Sequence, residues 1–197
     1  GGIKNLLIFG ENLLDSPAKS QALVALDYTV HYGPFDNVEK YTAKCDTPSY
    51  DATTGGVQAL ECQTVAGVGT NYSLRVTVNG GKKSNIFPAG ISYLPPVLES
   101  FKGAGVNSGT TEGGRSIILS GNNFGNKATL VSVVYGPRGV PRHKLYNATN
   151  CRINELHHQI ECQTAPGVGK DLELSLYVAG QKSIQPSLSY GKPVVEG

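Results

Sequence analysis

The chain has no tryptophan and no methionine, and only 16% of its residues are charged. The hydrophobic fraction, 39%, still supports packed cores, so the low charge does not mark a disordered segment. No apolar run approaches the roughly 18 residues that cross a bilayer, and no membrane insertion by this segment is expected. Nor is there a concentrated basic face: 17 Lys and Arg against 15 Asp and Glu are scattered along the chain, which argues against a nucleic-acid partner. The chain opens at Gly1-Gly2, without an initiating methionine or a charged-then-apolar leader. That start suits a processed product, an excised fragment or the ordered part of something longer. A convincing 3.6-residue apolar period is also missing, so no long helix is expected. Turn chemistry is abundant instead, with 25 Gly and 11 Pro, as in an all-β chain of short strands.

The strongest positive signal is an internal repeat. Leu60-Glu61-Cys62-Gln63-Thr64 returns as Ile160-Glu161-Cys162-Gln163-Thr164, and Ala66-Gly67-Val68-Gly69 as Pro166-Gly167-Val168-Gly169. Upstream, Tyr32-Gly33-Pro34 matches Tyr135-Gly136-Pro137, and Gly10-Glu11-Asn12-Leu13 matches Gly121-Asn122-Asn123-Phe124. Downstream, Ile91-Ser92-Tyr93 matches Leu188-Ser189-Tyr190. The unit is about 100 residues, the usual size of an immunoglobulin-like β-sandwich. Strand alternation is plain in both copies. Tyr72, Leu74, Val76 and Val78 alternate with Ser73, Arg75 and Thr77, and Leu172, Leu174, Leu176 and Val178 with Glu173, Ser175 and Tyr177. A period of two places the apolar row inward and the polar row outward.

Four cysteines allow three pairings, and the repeat selects one: Cys45 with Cys62 and Cys151 with Cys162, each within its own unit. Disulfides persist in oxidising compartments, so an extracellular or cell-surface location is expected. Two N-glycosylation acceptors agree, at Asn71-Tyr72-Ser73 and Asn147-Ala148-Thr149, making N-linked glycans expected partners.

With these blocks in view, the chain resembles the IPT/TIG family of immunoglobulin-like domains. The second repeat carries the pattern fully. It runs from Pro96-Val97-Leu98 and Gly113-Gly114 through Ile117-Ile118-Leu119-Ser120-Gly121-Asn122-Asn123-Phe124-Gly125 to Cys151, Cys162, Gly167-Val168-Gly169 and Leu188-Ser189-Tyr190. The first repeat departs from it, with Leu13 where the family favours Phe and a longer insert between Gly10 and Tyr32. The resemblance implies two tandem β-sandwiches at 1–93 and 94–190. Such domains occur in receptor ectodomains of the plexin and growth-factor-receptor kinds, in adhesion proteins, beside polysaccharide-degrading enzymes and in transcription factors. In these settings they are usually not catalytic, and fold alone does not choose among them.

The boundaries add one expectation. The second repeat opens with Leu94-Pro95-Pro96-Val97-Leu98-Glu99-Ser100 ahead of Gly113-Gly114, whereas Gly1-Gly2 stands where that glycine pair would be in the first. Residues 191–197 resemble the opening strand of a further repeat, since Pro193-Val194-Val195-Glu196 parallels Pro96-Val97-Leu98-Glu99. Two readings fit. In one, the chain is cut from a longer covalent array. In the other, Pro193, Val194 and Val195 of one subunit complete the first sandwich of the next, a head-to-tail contact that builds filaments.

No constellation points to an active site. Cys151, His157, His158 and Cys162 are zinc-ligand types, but the matching Cys45–Cys62 stretch holds no histidine, and a disulfide explains both repeats. There is no Gly-x-Ser-x-Gly elbow, phosphate loop or calcium loop. His31 sits in a strand-like run, Ala22 to Gly33. The basic loop Arg138 to Lys144 reads as a solvated hairpin loop able to touch an anionic glycan or a protein. The expected function is therefore a non-enzymatic extracellular structural or adhesive protein, without cofactor or metal, whose partners are copies of itself or neighbouring repeats. A ligand-binding receptor ectodomain segment is the alternative. A carbohydrate-binding accessory domain comes third and lacks the tryptophan that sugars commonly stack on.

Overall fold

The computed structural model describes residues 5–10, 27–46, 49–51, 57–78, 81–107 and 109–183. Pro193, Val194 and Val195 lie outside these residues, as do the Leu188-Ser189-Tyr190 block and the insert at 11–26. The chain divides into two compact units, residues 1–93 and 94–197. Both are built from antiparallel strands, and among the described residues no helix is long and apolar enough to cross a membrane.

The first unit contains β1 (Asn5–Gly10), β2 (Tyr28–Gly33), β3 (Tyr41–Cys45), β4 (Ser49–Asp51), β5 (Val57–Gln63), β6 (Tyr72–Val78), β7 (Lys82–Lys83) and β8 (Phe87–Ile91). They join in the order β1-β5-β3-β2-β6-β7, with β4 also on β5 and β8 also on β6. Strand β3 passes the ladder from one layer to the other. It pairs with β2 from Thr29↔Lys44 to Tyr32↔Tyr41, and with β5 at Lys44↔Gln63 and Cys45↔Cys62. Alternate residues of β2, β5 and β6 form the core: Tyr28, Val30 and Tyr32 meet Leu60, Cys62, Tyr72, Leu74 and Val76.

The second unit contains β9 (Val97–Lys102), the single-turn α1 (Ala104–Asn107), β10 (Ser116–Asn122), β11 (Val131–Gly136), β12 (Tyr146–Asn147), β13 (Thr149–Glu155), β14 (Gln159–Gln163), β15 (Glu173–Val178) and β16 (Gln181–Lys182). Here two four-stranded sheets stay separate, β13-β14-β10-β9 and β12-β11-β15-β16. Leu98, Ile117, Leu119 and Ile160 from the first sheet are buried, as are Val133, Leu174, Leu176 and Val178 from the second. Two inward apolar faces closed on each other make a sandwich core.

Pairing register shows that the sequence repeat is a structural one. Leu6↔Cys62 and Ile8↔Leu60 join β1 to β5, and Ile117↔Cys162 and Leu119↔Ile160 join β10 to β14. Val30↔Val76 and Tyr32↔Leu74 join β2 to β6, and Val133↔Leu176 and Tyr135↔Leu174 join β11 to β15.

One expectation is corrected. The polar row of β6 does not face water: Ser73 and Thr77 are buried. A 3-10 turn at Phe35–Lys40 packs against the outer side of β2 and β6, and Glu39 on it faces Arg75 and Lys83 at 3.8 and 3.2 Å. In β15 the corresponding row, Glu173, Ser175 and Tyr177, is more open.

Each disulfide closes a loop inside its own unit, over separations of 17 and 11 residues. Replacing either pair by Ser is expected to cost about 3 kcal/mol on the chain-entropy account. Urea denaturation of the oxidised parent beside the Cys45→Ser/Cys62→Ser and Cys151→Ser/Cys162→Ser chains checks this.

Candidate functional site

The two disulfides anchor the residues that could carry function. Cys45 and Cys62 are direct register partners on β3 and β5 and are bonded. Cys151 and Cys162 are bonded across β13 and β14, beside an irregularity where Asn150 adopts a left-handed φ of 48°. The sulfurs that a zinc reading would need are thus covalently paired. The histidines of that reading belong to the β13–β14 turn, which is stitched to the end of β10. Phe124 N–H donates to the His157 carbonyl at 3.0 Å, His157 N–H to Gly125 at 2.8 Å, and Gly121 N–H to His158 at 3.0 Å. The His158 ring Nδ1 lies 3.1 Å from the Gly121 carbonyl oxygen, and burial lowers the His157 pKa. His31 lies on β2 with its Nδ1 3.1 Å from the Thr42 hydroxyl. Among the described residues no three His, Cys, Asp or Glu side chains gather as a metal site.

A second anchor was not read from the sequence. In each unit two tyrosines grip the segment that follows the cysteine strand. Val65 N–H donates to the Tyr32 hydroxyl at 3.0 Å, and Val68 N–H to the Tyr41 hydroxyl at 3.2 Å. In the second unit Ala165 N–H donates to Tyr135 at 2.8 Å, and Val168 N–H to Tyr146 at 3.2 Å. The Tyr41 and Tyr146 hydroxyls donate back to the Val68 and Val168 carbonyls, at 3.3 and 2.9 Å. The ring pairs match as well, with centroids 5.4 Å apart for Tyr32–Tyr41 and 5.5 Å for Tyr135–Tyr146.

The first glycine of the repeated Gly-Val-Gly is explained by these rings. A Cβ on Gly67 would sit 2.6 Å from Tyr93 and 2.8 Å from Tyr41, and one on Gly167 would sit 2.7 Å from Tyr146. In the first unit Tyr93 adds a third hydroxyl, 2.8 Å from that of Tyr32 and donating to the Val65 carbonyl at 2.7 Å. Burial pushes its phenol well above the ordinary range.

Polar side chains complete the outer face of the second unit. The Glu161 carboxylate accepts from Asn154 at 3.0 Å, Ser116 at 2.7 Å and Arg152 at 2.7 Å, tying β14 to β13 and β10. These donors, Asn154 foremost, hold its carboxyl down to about 2. In the basic loop, Arg142 lies 3.9 Å over the Tyr177 ring and donates to the Ser132 hydroxyl at 3.2 Å, while Arg138 pairs with Glu173 at 3.4 Å. His143 and Lys144 are exposed beside them.

Both sequon asparagines are exposed. Asn71 has a φ of 57°, and its N–H donates to the Ser92 hydroxyl at 3.0 Å. Its partner Ser73 is buried in β6, whereas Thr149, the partner of Asn147, is exposed.

Comparison with known proteins places this geometry. Residues 96–190 match the family model of the IPT/TIG domain. No curated protein and no solved structure matches the chain.

Tyr41→Phe is expected to cost about 1–3 kcal/mol, because the buried Val68 loses the acceptor for its N–H. Tyr146→Phe costs less, since Val168 is 69% exposed and water replaces the hydroxyl. Thermal unfolding of the two variants gives the order. Glu161 has a folded pKa below its ordinary 4.5, so its ionised form stabilises the native state. That contribution is complete above about pH 4.5 and fades as the pH falls toward 2. Glu161→Gln is therefore expected to be less stable than the parent at neutral pH, with the gap narrowing as the pH falls from about 4.5 toward 2, as read from melting curves across that window.

Proposed function

We propose that the chain, with an IPT/TIG domain as its second unit, is a non-enzymatic structural or adhesive protein of the cell surface or extracellular space. In this reading the first unit is a divergent copy of the same domain. The tandem sandwiches serve as repeat modules of an extended stalk or filament, joined end to end by strand donation. The observation that carries it is the duplicated lock: in both units a disulfide ties the cysteine strand to its neighbour, and two tyrosines hold the segment that follows. A module required to transmit tension gains from this arrangement, because bonded strands cannot slide apart and the chain within the loop cannot extend. Glycans at Asn71 and Asn147 would keep the surface solvated. With Ser73 buried, attachment at Asn71 has to precede closure of β6.

The exposed Arg138–Lys144 loop supports the second reading, a receptor ectodomain segment with a protein or anionic glycan ligand.

Antibody labelling of intact cells tests location, with surface signal expected and purely intracellular signal overturning the proposal. Single-molecule pulling tests the mechanical role. Adding reductant is expected to lengthen the unfolded first unit by about 60 Å and the second by about 40 Å, at roughly 3.5 Å per residue of each disulfide loop. Unchanged extension means the disulfides are not the mechanical stops.

A further inference from the structure

The first unit's sheet ends on β1, whose outer edge has no partner among the described residues. Its counterpart in the second unit, β10, is paired on both edges, by β14 and by β9. Because β1 and β10 share one register against the cysteine strand, their positions correspond individually. Leu6 stands for Ile117, Leu7 for Ile118, Ile8 for Leu119, Phe9 for Ser120 and Gly10 for Gly121.

Burial separates the two strands at these positions. Ile117 and Leu119 are 3% and 0% exposed, whereas Leu6 and Ile8 are only partly buried, and Leu7 and Phe9 are 55% and 61% exposed. Glycine explains how a strand on that edge would fit. A Cβ on Gly121 would run into the carbonyl of Val97, so glycine there is what lets β9 approach. Gly10 occupies the matching place on β1, so it too carries no Cβ to stand in the way of a neighbouring strand. Strand β9 begins within Pro96-Val97-Leu98-Glu99, and the chain repeats that pattern once more, at Pro193-Val194-Val195-Glu196.

We infer that Lys192–Gly197 of one copy adds to the outer edge of β1 in a second copy as an antiparallel strand. Val195 takes the place of Leu98 opposite Gly10, and Gly197 reaches Phe9, as Ser100 reaches Ser120. The strand supplies partners for the open backbone groups at the Phe9–Gly10 end of β1, where Val195 adds apolar cover. Donor and acceptor surfaces differ, so the contact is heterologous and propagates into a chain of copies. This inference rests on the reading of the molecule as an end-to-end repeat module, and it names the segment and the edge that make the joint.

The test uses the full chain. Sedimentation of the parent is expected to show association that grows with concentration, and the full-length Val195→Asp chain is expected to stay monomeric. That variant keeps its acceptor edge, so it should bind a labelled Gly191–Gly197 peptide saturably and shift the β1 amide signals. A Val195→Asp peptide should bind at least about tenfold more weakly, since the charge would be placed in an apolar seat. Gly10→Val added to the Val195→Asp chain should abolish binding, while an unchanged melting curve shows that the first unit still folds. A peptide that does not bind, or binds regardless of Val195 and Gly10, overturns the inference. A parent chain that remains monomeric while the peptide binds overturns the second-copy occupant. The surface labelling and pulling experiments do not depend on this joint, so they separate its failure from failure of the module reading.

Discussion

A β-ladder can in principle slip, and a slip of one residue turns every core side chain out to solvent. The disulfides remove that freedom where it matters most. Cys62 lies in β5, between β1 and β3, and Cys162 in β14, between β10 and β13, so fixing one cysteine strand fixes the partners on both sides. Leu60 and Ile160 then fall inward two residues before the cysteine, facing Ile8 and Leu119. The tyrosine clamps extend the constraint beyond the strand. They hold backbone at 65–68 and 165–168, which leads the chain toward β6 and β15 and thereby sets the second sheet against the first. Each unit is thus organised outward from one pinned strand.

The two units use that plan differently. In the first, β3 belongs to both layers and the 3-10 turn Phe35–Lys40 covers the outside of β2 and β6, burying Ser73 and Thr77. In the second, the layers stay separate, β9 completes the edge, and the outer face is held by side chains such as Arg142 on Tyr177 and the donors around Glu161. The second unit, in which β10 is paired on its outer edge by β9, is also the one that the IPT/TIG model matches.

Much of this was legible in the residues. Alternation in Tyr72–Val78 and Leu172–Val178 marked core strands, and the matched Glu-Cys-Gln-Thr blocks selected the disulfide pairing that the structure contains. The tyrosine clamp was half visible. Tyr32 and Tyr135 stood in a matched block, but Tyr41 and Tyr146 follow connections of different length and shape, which hid their equivalence. The shared Gly-Val-Gly was the available clue, because a glycine repeated at the same place in both units signals close packing as readily as a bend. The Glu161 network was out of reach, since Ser116, Arg152 and Asn154 converge only through cross-strand neighbours. The cover over β6 was equally hidden, for a short 3-10 turn leaves no periodicity to read.

The fit between Gly67 or Gly167 and the tyrosine ring above it also constrains how such a unit can diverge. A methyl group has no room while the ring is present, and a smaller residue in place of the ring leaves the loop without its grip. Neither position can change alone without cost, so glycine and tyrosine are coupled by packing. Sequence change in these modules is thereby channelled toward the exposed turns, where one scaffold can be dressed with different surfaces while its interior stays the same.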